Sequence, residues 1–120
     1  MTHQPITYQL KIHLGKPVRL TIGKLGTYDF PAGDYTYTGS ALRNMEARIS
    51  RHLSRDKKLK WHIDYLLAAA EARITEVIRH SVPECTVNQS TPGISLIPHF
   101  GASDCRAGCG SHLKYQTTSC

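Results

Sequence analysis

Residues 34–53 read DYTYTGSALRNMEARISRHL, and a change of period inside this stretch decides the fold. The first five residues, DYTYT, are β-favouring and predict a short strand over 34–38. Tyr35 and Tyr37 are two apart, so they share one face of the sheet. Gly39-Ser40 ends that strand, and Ser40 is a suitable N-cap for a helix. From Ala41 to about Ser54, Leu42, Met45, Ile49 and Leu53 recur at helical spacing and form the expected inner stripe.

Upstream, PITYQLKIHL at 5–14 alternates cleanly: Ile6, Tyr8, Leu10, Ile12 and Leu14 against Thr7, Gln9, Lys11 and His13. That period of two predicts a strand. Gly15-Lys16-Pro17 reads as a turn and Val18–Ile22 as the other half of a hairpin, before Gly23 and Gly26 break the chain. Pro31 and Gly33 bracket a further turn. Downstream, a second helix is expected from about Leu59 to Ala72, with Ile63, Leu66, Leu67 and Ala70 as its stripe. Trp61, Ile63 and Tyr65 read as core or anchor residues there, and His62 and Asp64 as solvent-facing. A strand over 74–82 ends at Pro83, and a short helix comes next over 84–89. Beyond Pro92 the chain is mostly loop, with an edge strand at 112–116. The order implies one α+β domain over residues 1–120 with a small, mainly antiparallel sheet.

The chain carries 15 Lys and Arg against 9 Asp and Glu, a net charge of +6. So basic a small body favours an anionic partner, nucleic acid before a membrane surface. No run of about 18 apolar residues is present, so no membrane span is expected. The polar start, MTHQPITYQLKIHLGK, lacks a signal-peptide core, and a cytoplasmic location is expected. A domain of this size buries roughly two thirds of its unfolded surface and needs no disulfide or metal to fold. The cysteines, Cys85, Cys105, Cys109 and Cys120, lie in the last third, and a reducing compartment disfavours disulfides among them.

On a helical wheel advancing about 100° per residue, Arg48, Arg51, His52 and Arg55 fall together beside the apolar stripe. Such a cationic strip suits phosphate, which Arg grips with two prongs. Lys57 and Lys58 extend the charge into the next loop, and Arg51, Arg55, Lys57 and Lys58 are the candidate nucleic-acid contacts. A plain solvated face is the competing reading.

The stretch YTGSALRNMEARISRH at 37–52 resembles the second half of the GIY-YIG nuclease motif: Tyr-x-Gly ending a strand, then a helix with an Arg and a His one turn further. Here these are Tyr37-Thr38-Gly39, Arg48 and His52, and Ile6-Thr7-Tyr8 matches the first half best. GDYTYTGSAL, KWHIDYLL, the Glu84-Cys85 pair, HFGASDC and SHL resemble the small prokaryotic Uri branch of that superfamily. The resemblance implies a three-stranded antiparallel sheet flanked by helices, here with an added N-terminal hairpin. It also implies an endonuclease acting on nucleic acid, DNA favoured over RNA, with one Mg²⁺ or Mn²⁺ held by Glu84. Tyr37 would deprotonate water, its phenol lowered by nearby cations. Tyr8 would position water or phosphate, and Arg48 would neutralise developing charge. His52 would touch a tyrosine hydroxyl or phosphate, and KWHIDYLL leaves His62 and Asp64 open to a role near the cleft. Two departures stand out: Ile6 replaces the motif glycine, and CTVNQSTPG after Glu84 has low helix propensity.

Taken without the resemblance, Tyr8 and Tyr37 read as strand-packing residues. Glu84 after Pro83 reads as a helix-start carboxylate, with Glu71 as the fallback ligand. Cys105, Cys109, His112 and Cys85 make an alternative zinc set, against idle thiols. A nucleic-acid-binding module without catalysis and a zinc-stabilised interaction protein are therefore the competing functions.

Overall fold

The computed structural model describes residues 6–41, 44–54, 61–91, 93–94, 96, 100 and 111–116. The chain runs β1 (Thr7–Leu14), β2 (Val18–Ile22), β3 (Gly26–Phe30), β4 (Gly33–Ser40), α1 (Met45–Leu53), α2 (His62–Leu67), β5 (Ala72–His80), α3 (Glu84–Ser90) and β6 (Leu113–Gln116). Four strands form one antiparallel sheet in the order β5-β1-β4-β6, and β2 and β3 form a second, two-stranded sheet. The architecture is α+β, as expected, but the main sheet has four strands rather than three.

The hairpin expectation needs correcting. β1 does not pair with β2: it lies between β4 and β5, with Leu10 opposite Tyr37 and Val77. β2 pairs with β3 instead, Val18 opposite Phe30. The alternation of β1 fits a central strand better than a hairpin arm, because its even-numbered side chains are all buried while its odd side is polar. Tyr8, Leu10, Ile12 and Leu14 are each at most 2 % exposed. The β2–β3 arm adds Ile22 and Phe30 to the same core.

Both long helices are shorter than their apolar spacing suggests. α1 begins at Met45 after Asn44, whose left-handed backbone (φ 58°) turns the chain into the helix. Ser40 stays in β4 and is not the cap. The inner stripe is Met45, Ile49 and His52; Leu53 is 55 % exposed. α2 stops at Leu67 despite the Ala68–Ala70 run. Gly15 N–H donates to the Glu71 carbonyl and Ala72 enters β5 opposite Leu14, so sheet pairing overrides propensity there.

The short helix expected over 84–89 forms as Glu84–Ser90 despite its low propensity. Its far end is tied down: Asn88 Nδ2 donates to the Ser111 carbonyl at 2.8 Å, and Gln9 Nε2 donates to Thr91 Oγ1 at 2.7 Å. Among the described residues no helix is long and apolar enough to cross a membrane.

Candidate functional site

At one end of the core the pairing of β1 with β4 sets Tyr8 opposite Gly39. A methyl group at position 39 would come within 2.5 Å of Tyr8 Cζ and 2.6 Å of its hydroxyl. The glycine is required by this crossing of a ring over the backbone. Tyr37, on the same face, has its ring centroid 6.5 Å from that of Tyr8. The two tyrosines on adjacent strands therefore meet.

Ile6 does not disturb this arrangement. Its N–H donates to the His80 carbonyl and its carbonyl accepts from Ala41, so it continues the extended strand between both neighbours.

α1 closes over the phenols. His52, 2 % exposed, has Nε2 2.7 Å from the Tyr8 hydroxyl. Arg48, one turn earlier, is exposed at the rim and donates from Nη1 to the Ser40 carbonyl at 3.1 Å. Glu84, the first residue of α3, brings a carboxylate from the other side. Its Oε2 lies 3.3 Å from Nδ1 of the buried His112. His112 is held next to β4 because its carbonyl accepts from Thr38 N–H and its own N–H donates to the Phe100 carbonyl.

The electrostatics tie these groups together. Burial raises the Tyr8 hydroxyl above the usual phenol range; Arg48 pulls it down, while Glu84 and Asp64 push it further up. Tyr37 is raised strongly, first by burial, then by Tyr8 and Glu84, against Arg48. The expected lowering combines a bound metal with Arg48. In the protein alone Arg48 acts in the expected direction, and desolvation outweighs it.

The chain belongs to the family described as Domain of unknown function DUF123. The match runs over residues 7–120, so all of the site residues lie within the DUF123 region. No curated protein and no solved structure matches the chain.

Several side chains of this DUF123 domain sit elsewhere than expected. Arg51 is not an open phosphate contact. Its Nη1 and Nη2 donate to Asp64 Oδ1 and Oδ2 at 2.9 and 3.0 Å. Asp64, expected at the surface, is fully buried, and also accepts the Trp61 backbone N–H at 2.8 Å. A short polar residue three positions into a helix is a capping signal, and that spacing from Trp61 was the clue available in the sequence. Arg55, Lys57 and Lys58 lie outside the described residues, so the basic strip seen on α1 is Arg48 with the buried His52.

The alternative zinc set falls mostly outside the described residues. His112 faces Glu84, while Cys105, Cys109 and the side chain of Cys85 lie outside the described residues. Among the described residues no three His, Cys, Asp or Glu side chains gather as a metal cage.

Glu84 itself suits a hard cation. It offers carboxylate oxygens at 26 % exposure, beside two phenols that feel its charge. A cation with one protein carboxylate would keep most of its waters, as Mg²⁺ does. Glu71, the fallback ligand, instead pairs through its backbone with Gly15 at the far end of β1.

Proposed function

We propose that the protein is a metal-dependent endonuclease of the GIY-YIG type, in its Uri branch, hydrolysing phosphodiester bonds in nucleic acid, DNA rather than RNA. The observation that carries this reading is the convergence of Tyr8, Tyr37, Arg48, His52 and Glu84 from four separate elements on one end of the core. A structural role alone explains buried tyrosines. It does not explain why an exposed arginine and a partly exposed carboxylate both act electrostatically on them.

Each residue has a task that its surroundings support. Glu84 would hold Mg²⁺ or Mn²⁺. The ion, when bound, supplies Lewis-acid stabilisation of the leaving oxygen and positive charge beside the phenols. Arg48 reaches the rim, where a phosphate oxygen can approach, and offers donors for charge developing there. Tyr37, as a phenolate, is the residue to take a proton from water once a bound cation offsets its burial and the negative field of Glu84. Tyr8 is oriented by His52, whose Nε2 accepts from its hydroxyl or donates to it, and so can position water against the phosphate.

A second reading, a nucleic-acid-binding module without catalysis, draws on the burial of both phenols in the core. One experiment separates the two. Purified protein with Mn²⁺ or Mg²⁺ is incubated with single-stranded, duplex and branched DNA. The nuclease reading expects cleavage that EDTA abolishes and that Glu84→Gln or Arg48→Ala lowers by about 100-fold or more. Salt-sensitive binding with every substrate left intact would favour the second reading.

A further inference from the structure

Arg48 is a long, exposed side chain at the rim, and it would sample many rotamers unless something fixes it. One fixture is its hydrogen bond to the Ser40 carbonyl, and the start of α2 supplies another. Arg48 Cζ lies 5.4 Å from the centre of the Trp61 ring, and Arg51 Cζ lies 4.4 Å from it. Both are within cation–π range. The His52 ring, which contacts Tyr8, is 5.4 Å from the same indole. Trp61 is itself anchored, because its backbone N–H donates to the buried Asp64 carboxylate and Asp64 holds Arg51 with two prongs.

We infer that Trp61 is a positioning residue for the cleavage site: its indole, anchored through the Asp64–Arg51 pair, fixes the Arg48 guanidinium over the tyrosine pair and backs His52 against Tyr8. This rests on the nuclease reading for its kinetic consequence, but not for its structural one. The function follows from geometry. α1 carries the reactive cation; β4 holds it through the Ser40 carbonyl, and the start of α2 adds the ring contact, across a bidentate ion pair joining the two helices. A charge misplaced by about 1 Å loses much of its value in a transition state.

Trp61 is the single tryptophan of the chain, so fluorotryptophan incorporation changes this site alone. Fluorines weaken the negative face of the indole with little change of shape. The series is wild type, mono-, di- and trifluorotryptophan protein, Trp61→Phe and Trp61→Leu. For each, kcat and KM for DNA cleavage with Mn²⁺ are measured beside the ¹⁵N heteronuclear NOE of Arg48 Nε. Positioning predicts that kcat and Arg48 order fall together along the fluorination series. Trp61→Leu should lose about 10- to 100-fold in kcat with KM within about threefold, and Trp61→Phe should recover most of it. An Arg48 Nε that stays rigid across the fluorination series overturns the inference. So does a rise in KM with kcat kept, which would make Trp61 a substrate contact. Absence of cleavage by the wild-type protein would defeat the nuclease reading, while the Nε measurement would still decide the positioning role. Failure of Trp61→Leu to fold leaves the fluorinated proteins, whose shape is preserved, to give the answer.

Discussion

The crossing of Tyr8 over Gly39 offers a quantitative test of how the tyrosine pair is built. Replacing Gly39 by Ala puts a methyl group 2.5 Å from Tyr8 Cζ and 2.6 Å from its hydroxyl, far inside contact distance. The partner atoms belong to a rigid ring that is 2 % exposed. The ring must move, and the 2.7 Å contact with His52 Nε2 is lost with it. Overpacking costs about 1–3 kcal/mol, and a buried hydrogen bond contributes about 1 kcal/mol. The sum is about 3 kcal/mol. For a 120-residue domain, with an unfolding entropy near 2.1 cal/mol/K per residue, that lowers Tm by about 12 °C. The assay is a double-mutant cycle by urea unfolding and calorimetry, with Tyr8→Leu as the second substitution. Leucine lacks the Cε, Cζ and hydroxyl atoms that meet the new methyl. In that background Gly39→Ala should change stability by less than about 1 kcal/mol, since Ala at an extended position carries no backbone penalty. A loss of about 3 kcal/mol in both backgrounds would refute the reasoning, because the glycine would then be needed for its backbone rather than for the ring.

Three further outcomes follow from the same geometry. Asp64→Ala should destabilise the fold by about 3 kcal/mol in urea titrations, since it strands Arg51 and frees the start of α2; Arg51→Met combined with Asp64→Leu should recover most of the loss. Tyr8 and Tyr37 bind their protons more tightly folded than unfolded, so their contribution to stability is complete below about pH 10 and declines as pH rises above it. Spectrophotometric titration at 295 nm should show both ionising only as the protein unfolds in alkali, and Tyr8→Phe should flatten the alkaline decline. Arg48→Ala, at an exposed position, should leave Tm within about 2 °C of wild type while removing cleavage.

Local pattern carried much of this. The alternation of β1 was legible because one face is wholly apolar and the other wholly polar. The pairing of Tyr37-x-Gly39 with a helix bearing Arg48 and His52 was legible through the resemblance to the GIY-YIG motif. The wheel of α1 misled at Leu53 because periodicity ranks side chains by hydrophobicity alone. His52 takes the buried place through its contact with Tyr8, 44 residues away in sequence. Asp64 misled for a similar reason, since its burial depends on Arg51 of another helix. The partner of β2 was not legible: Gly26–Phe30 is short, begins with glycine and carries Asp29, so it looks like loop until β2 is beside it. The meeting of Glu84 with His112 spans 28 residues, and no local rule reports it.

The register of β5 has a consequence for how this chain can change length. Glu76 lies opposite Lys11 and Ile74 opposite Ile12, so Thr75 is a bulged residue without a counterpart on β1. On one side of it Val77 and Arg79 share the face of Leu10 and Tyr8; on the other Ala72 and Ile74 share that of Leu14 and Ile12. The strand thus holds one spare unit. Deleting Thr75 would straighten the ladder and leave every inward side chain inward, whereas removing Ile78 would turn the residues beyond it inside out. Single-residue gaps in kindred sequences should therefore collect at this one rung of the outer strand.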